Sequence, residues 1–276
     1  MPKSTPFVPT YASLGIRVRL ALGAREISLK IQVLSDLHIE FEGFEFVETE
    51  SDVVILAGDI HVKDKGVLWA LENIQNKPVI YVLGNHEFYG KAYPKLVGSI
   101  KEKVEGSNVH LLEKDLLEIN GVNFLGCTLW TDFNLFGDSR ITGYQCQQIM
   151  TDFKKIRVSP KFSKLRSIDV ASIHRQSIEW LKSELESKRN EKNIVVTHHG
   201  PSIRSLPEGK ENDVSSAAYV SELDSVISEY SPDYWVHGHI HNSSNYKIGC
   251  CNIVCNPRGY PDERNPDFRS DYTIEI

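Results

Sequence analysis

Along this 276-residue chain, aspartate, asparagine and histidine gather in short clusters whose side chains can bind metal ions. The clusters are Asp36-Leu37-His38, Gly58-Asp59, Gly84-Asn85-His86-Glu87, His198-His199 and Gly238-His239-Ile240-His241. Seven of the ten histidines lie in or beside them. Oxygen and imidazole donors without thiolate suit Mn2+, Fe2+/Fe3+, Zn2+ or a similar divalent ion, and the donors suffice for two. Two ions ~3.5–4 Å apart can share a carboxylate and a hydroxide and clamp a phosphoryl group between them. Asp59 is the natural shared carboxylate. Taken singly, each aspartate reads as a turn or cap residue and each histidine as a packed or surface residue. Five clusters in order, each following an apolar run, read as a site.

Those runs are the elements that must position the donors. Ile31 to Leu34, Val53 to Ala57, Val79 to Leu83, Ile194 to Thr197 and Tyr234 to Val236 read as buried strands. Helices over 63–76 and 95–104 separate the early strands, a spacing that implies parallel pairing in an α/β fold. Side chains at the carboxyl ends of parallel strands share one crevice, and the glycines before Asp59, Asn85 and His239 permit sharp turns there. Asn120-Gly121 predicts a hairpin joining Leu116–Ile119 to Val122–Leu125. Over residues about 130–189 the strand rhythm gives way to polar, helix-compatible sequence, expected to be a helical lid insertion. Within it Val170, Ile173, Ile178, Leu181 and Leu185 share one helical face. A further helix is expected around Val220, Leu223, Ile227 and Tyr230, and the tail from Tyr246 to Cys255 and Tyr272 to Ile276 is expected to close a second sheet. Residues 1–28, with three prolines, read as a loose leader before a domain over 29–276.

The net charge of -6 and pI near 5.9 argue against a broad basic surface for duplex nucleic acid or anionic lipid, so a nucleic-acid polymer is a poor candidate partner. No apolar run approaches the ~20 residues that span a bilayer. Five cysteines, unevenly spaced, suit a reducing compartment and a cytoplasmic location, and those at 250, 251 and 255 read as thiols in adjacent strands rather than a zinc cluster. His237, beside the last cluster, reads as core or backing the site; of the three remaining histidines, His174 reads as packed and His61 and His110 as surface or loop residues.

The ordered series D-x-H, G-D, G-N-H-[DE], a histidine near H-x-P and G-H-x-H resembles the calcineurin-like metallophosphoesterase family over about residues 30–260. The resemblance implies a four-layer αββα sandwich of two mixed β-sheets with flanking helices. It implies one metal held by Asp36, His38, Asp59 and His241 and a second by Asp59, Asn85, His198 and His239, with His198 favoured over its neighbour His199 as the first after the strand. It also implies that His86 contacts the phosphate and helps the leaving group depart. The function expected is hydrolysis of a small phosphoester, foremost a phosphodiester, by in-line attack of a metal-bridging hydroxide. Protein Ser/Thr phosphatases of the family carry G-D-x-x-D-R-G, whereas Gly58 to Gly66 lacks that arginine and spacing, so the prokaryotic phosphodiesterase and phosphohydrolase branch is the nearer likeness. A DNA nuclease, a protein phosphatase and a non-catalytic scaffold of the same fold are the alternatives. Trp130 could stack on a base and Arg258 could pair with phosphate oxygens, against a core tryptophan and a structural loop arginine.

Overall fold

The computed structural model describes residues 28–276; the leader expected over 1–28 lies outside the described residues except for its last position. The first half comprises β1 (Lys30–Leu34), β2 (Val53–Ala57), α1 (Lys65–Asn73), β3 (Val79–Val82), β4 (Ala92–Tyr93), α2 (Lys95–Val104), β5 (Val109–Leu111), β6 (Asp115–Ile119) and β7 (Val122–Cys127). There follow α3 (Ser139–Ile149), α4 (Asp152–Lys155), β8 (Arg157–Val158), β9 (Ser163–Lys164) and α5 (Ser167–Ser187). The remainder is β10 (Lys192–Thr197), α6 (Asp224–Tyr230), β11 (Tyr234–His237), β12 (Ser244–Ile248), β13 (Cys251–Cys255) and β14 (Thr273–Glu275).

Strand alternation builds the layers. In β2, Val53, Ile55 and Ala57 face the second sheet, while Val54 and Leu56 face the helices, because successive side chains point to opposite faces. The first sheet runs β14-β1-β2-β3-β5 and the second β12-β13-β11-β10-β7-β6. One apolar cluster lies between them, with Val33 and Ile80 from one sheet and Phe124 and Val196 from the other. The outer face of the first sheet packs on Val67 of α1 and Ile100 of α2. The outer face of the second packs on Leu181 and Leu185 of α5 and Ile227 of α6. The result is the four-layer αββα sandwich, in which β1–β2–β3 and β7–β10–β11–β13 pair in parallel. Their carboxyl ends therefore open on one side, and the clusters sit there.

Several sequence expectations need correction. β14 pairs with β1 in the first sheet, so only β12 and β13 extend the second. α6 begins at Asp224, and Val220 instead belongs to an extended segment bridged to Gly200. Cys251 and Cys255 lie on one strand and Cys250 is exposed beside it, so these thiols are not in adjacent strands. His110 lies on β5 and is half-buried. The insertion expected as a helical lid divides in two. α5 buries its apolar stripe on the second sheet as an outer layer, while the α3–β9 segment adds Cys146, Phe153, Ile156 and Leu165 to the core around the first sheet. Those four apolar side chains anchor the segment, so it stands as a wall beside the strand ends.

Candidate metal centre

Each donor is delivered by a strand that stops and turns. Asp36, His38, Asp59, His239 and His241 all have positive φ, from 46° to 71°, a region costly for residues with a Cβ and concentrated at functional sites. The turns lock to one another: the Asp36 amide donates to the Gly58 carbonyl (3.0 Å) and the His38 amide to the Asp59 carbonyl (3.1 Å). A Cβ on Gly84 would collide with the Asp59 carboxylate, and one on Gly58 with the His198 ring. Close approach of two backbones to those side chains thus demands glycine at both positions.

Two donor groups are built on the aspartates. Asp36, His38 and His241 converge in one, Asp59, His198 and His239 in the other, and a further cluster of His38, Glu40 and His86 adjoins the first. In the first, His38 Nε2 and His241 Nε2 face each other at 3.0 Å, with Asp36 Oδ1 3.5 Å from His241 Nε2. In the second, His198 Nε2 is 3.1 Å from His239 Nδ1 and 3.0 Å from Asn85 Oδ1. Asp59 stands between them, Oδ2 3.8 Å from His38 Nε2 and Oδ1 3.5 Å from His198 Nε2. Both aspartates are buried. Burial opposes their ionisation, yet the surrounding imidazoles hold both carboxyls below the usual range. The His198 imidazole is likewise disfavoured as a cation by burial but raised by Asp59 to about 10. A proton there does what a metal cation would do, namely offset a buried negative charge, and the donor set fits divalent ions on that ground.

The structure separates the paired histidines. His198 turns its Nε2 into the donor group and fixes its other nitrogen on the Ala57 carbonyl (2.9 Å). His199 pairs with the Thr128 carbonyl (3.1 Å), stacks 5.1 Å from Trp130 and falls outside the donor groups. His174 is packed against the Trp130 carbonyl, and His237 is buried on Ser205. His61 sits half-buried, 3.7 Å from Glu40.

Both substrate candidates are corrected. Trp130 is 2% exposed and packs between Phe88 and His199, so no face is open for a base. Arg258 spends its Nη1 and Nη2 donors on the Leu37, Glu42 and Gly43 carbonyls and the Glu42 carboxylate. It is the loop arginine, not a phosphate partner.

Four residues to which the sequence reading assigned no role support the site. Glu87 accepts hydrogen bonds from the Asp59, Ile60 and Gly84 amides and the Tyr81 hydroxyl, and burial with the Asp59 charge pushes its carboxyl up to about 7. Its place at the end of Gly-Asn-His-Glu was the available signal. Asp152 accepts from Asn85 Nδ2 (2.9 Å) and the Tyr89 hydroxyl (2.8 Å), which orients the amide so that its oxygen faces the donor group. Nothing local marks Asp152. Asp152→Ala should therefore weaken metal binding about 10- to 100-fold, the usual cost of losing such an orienting partner. Chelator-competition titration measures it, and unchanged affinity would refute the role.

Glu40 and Tyr260 hold His86 from two sides. Glu40 Oε1 is 2.8 Å from His86 Nδ1 and 3.3 Å from His38 Nδ1, and the Tyr260 hydroxyl is 2.9 Å from His86 Nε2. Burial opposes the Glu40 charge, but the hydrogen bonds with His38 and His86 bring its carboxyl down to about 2. Burial likewise opposes the His86 cation, which Asp59 and Glu40 nevertheless raise above the ordinary 6.5. The depressed Glu40 contributes stability above its unfolded value of 4.5, lost as pH falls toward 2. The raised His86 contributes below 6.5, lost as pH rises through its elevated value. In metal-stripped protein, the thermal midpoint of the wild type should exceed that of Glu40→Gln most between pH 4.5 and 6.5. A difference independent of pH would reject the pairing.

The donors open on a cleft of about 490 Å3 walled by Met150 and Asp152 of the insertion, by Leu206 and Lys210, and by Tyr219 and Tyr260. Among the described residues no helix is long and apolar enough to cross a membrane. A family model described as calcineurin-like phosphoesterase matches residues 29–243. An uncharacterised protein of Acanthamoeba polyphaga mimivirus is 24% identical over 266 residues, covering 85% of this chain and 92% of its own. The crystal structure of phosphopantetheinyl hydrolase (PptH) from Mycobacterium tuberculosis superposes with a TM-score of 0.72 at 16% identity, covering 90% of this chain and 96% of that one. At that identity the likeness is one of fold.

Proposed function

Because the chain belongs to the calcineurin-like phosphoesterase family, a family of phosphoester hydrolases, we propose that it hydrolyses a small phosphodiester with two divalent ions, Mn2+ first among Mn2+, Fe2+/Fe3+ and Zn2+. Asp59 carries the assignment, since its two oxygens point to different donor groups. Asp36, His38, Asp59 and His241 would hold one ion, and Asp59, Asn85, His198 and His239 the other. Bound there, the ions polarise phosphoryl oxygens and make water nucleophilic at neutral pH. His86, whose hold on its proton burial weakens but Asp59 and Glu40 strengthen, would give a proton to the departing oxygen. Asp152 keeps the Asn85 oxygen turned inward, and the cleft wall restricts what reaches the donors.

A diester presents two alcohol groups, and Tyr260 lines both the large cleft and a second hollow beside it. That pairing favours a diester over a monoester, and the net charge of -6 disfavours duplex DNA. The unpaired cysteines at 127, 146, 250, 251 and 255 suit a reducing, cytoplasmic setting. With Mn2+ added, kcat/KM should be highest for a small diester in a panel holding also a small monoester, a phosphopantetheinyl ester, duplex DNA and a phosphoprotein. The phosphopantetheinyl ester is included for the fold shared with that hydrolase. A preference for either macromolecule overturns the reading, and protein that binds no metal would favour the scaffold.

A further inference from the structure

Next to His86 the molecule exposes an aromatic surface that hydrolysis itself does not require. Phe41 is 59% exposed. Its ring stands edge-on to Tyr260 with centroids 5.6 Å apart, 6.1 Å from the His38 ring and 6.4 Å from the His86 ring. With Pro261 and Asp262 the two rings line a hollow of about 400 Å3. A single exposed phenyl on a loose loop would call for no explanation. This loop is pinned. Arg258 gathers the carbonyls of Leu37, Glu42 and Gly43, and its guanidinium lies 5.1 Å from the centre of the Phe44 ring. Arg264 ties Glu42 to the Gly259 carbonyl from the other side. The loop that carries Phe41 is thus held beside His86, which lowers the ordering cost when something stacks on the ring.

Position decides the occupant. The ring of Tyr260 lines the hollow while its hydroxyl reaches His86 Nε2 at 2.9 Å. In an in-line displacement the leaving oxygen departs beside the group that protonates it, so the departing alcohol lies against Phe41 and Tyr260. The wider cleft along Met150, Leu206 and Lys210 is left for the substituent that stays on phosphorus. We propose that Phe41, Tyr260 and Pro261 form the leaving-group subsite and that it takes a nucleoside: a planar, uncharged ring bearing hydrogen-bond donors. The rings offer stacking faces. The Asp262 carboxylate can accept from amino or hydroxyl groups and repels an anionic leaving group. The oxygen of water bonds to phosphorus, the P–O bond to the nucleoside breaks, the nucleoside oxygen takes a proton from His86, and the proton that water gives up restores His86 by way of solvent, leaving a monoester of the retained alcohol.

The assignment rests on the phosphodiesterase reading, and two measurements keep the two apart. Adenosine 5′-methyl phosphate reports which alcohol leaves. With Mn2+-loaded full-length protein the expected products are adenosine and methyl phosphate; methanol with adenosine monophosphate overturns the subsite. Independently of turnover, calorimetry measures adenosine binding to the metal-free chain. Phe41→Ala should weaken it about tenfold or more, the scale of base–aromatic stacking, at an unchanged thermal midpoint because the side chain is exposed. Affinity indifferent to the substitution, or no adenosine binding to the wild type, overturns the proposal. Loss of adenosine binding in Phe41→Ala with no diester turned over supports nucleoside binding at this surface but overturns its leaving-group role together with the hydrolytic reading.

Discussion

Asp59→Asn should yield a folded protein that fails to retain metal at either position. The carboxylate is buried at 1% exposure between the two donor groups, and its full charge is what allows two cations to sit close together. The amide oxygen can still accept the His86 backbone N–H that Oδ1 accepts at 2.8 Å, so the turn should survive. Losing an orienting partner alone costs ~10- to 100-fold in metal affinity, and a ligand common to both ions should cost more than about 100-fold at each. Turnover should fall at least ~1,000-fold, since loss of a single charge-stabilising group already costs ~100- to 1,000-fold. Elemental analysis of the dialysed variant is the decisive measurement, because activity loss has many causes. Two equivalents of retained metal would show that Asp59 is not shared.

His86→Ala separates binding from chemistry. Its ring contacts Glu40 and Tyr260 and lies outside the two groups built on the aspartates, so both metal equivalents should remain. Turnover on a substrate with a poor leaving group should drop about 100- to 10,000-fold, the range for a general acid. The wild-type rate should decline on the alkaline side as the histidine, raised above 6.5, loses its proton. That limb should vanish in the variant. Nitrophenyl esters would conceal the effect, because their leaving group needs no proton. Undiminished turnover of an alkyl diester would remove His86 from the chemistry.

Which residues converge was legible in the sequence because the determining signals are local. Apolar runs, three of them closed by Gly58, Gly84 or Gly238, mark strands that stop abruptly, and parallel strands open on one side whatever the order of the sheet. Asp36, His38, Asp59, Asn85, His198, His239 and His241 are each such a strand-end residue, and the structure brings them within reach of one another. The Asn120-Gly121 hairpin and the amphipathic stripe of α5 were legible for the same reason, as were the helices between the early strands. Local pattern also carried the choice of His198 over His199 as far as a preference; the contact of His198 with Ala57, 141 positions away, turned one ring inward.

Only tertiary packing decided the rest. Trp130 and Arg258 each follow the end of a strand, β7 and β13, as the donors follow theirs, but burial against Phe88 and capture by the Leu37–Gly43 carbonyls assign them to the scaffold. Glu40 stands two residues after His38 with no local pattern to mark it, and meets the His86 ring across 46 positions. Asp152 reaches Asn85 across 67 positions and Tyr260 reaches His86 across 174. β14 pairs with β1 because the first sheet has an open edge there, which no periodicity in residues 273–275 records. A sequence carries the donors because each is fixed by its own strand end; it does not carry what holds them at a given angle and charge, because those partners come from loops and a short helix that meet only when both sheets have closed on their shared core.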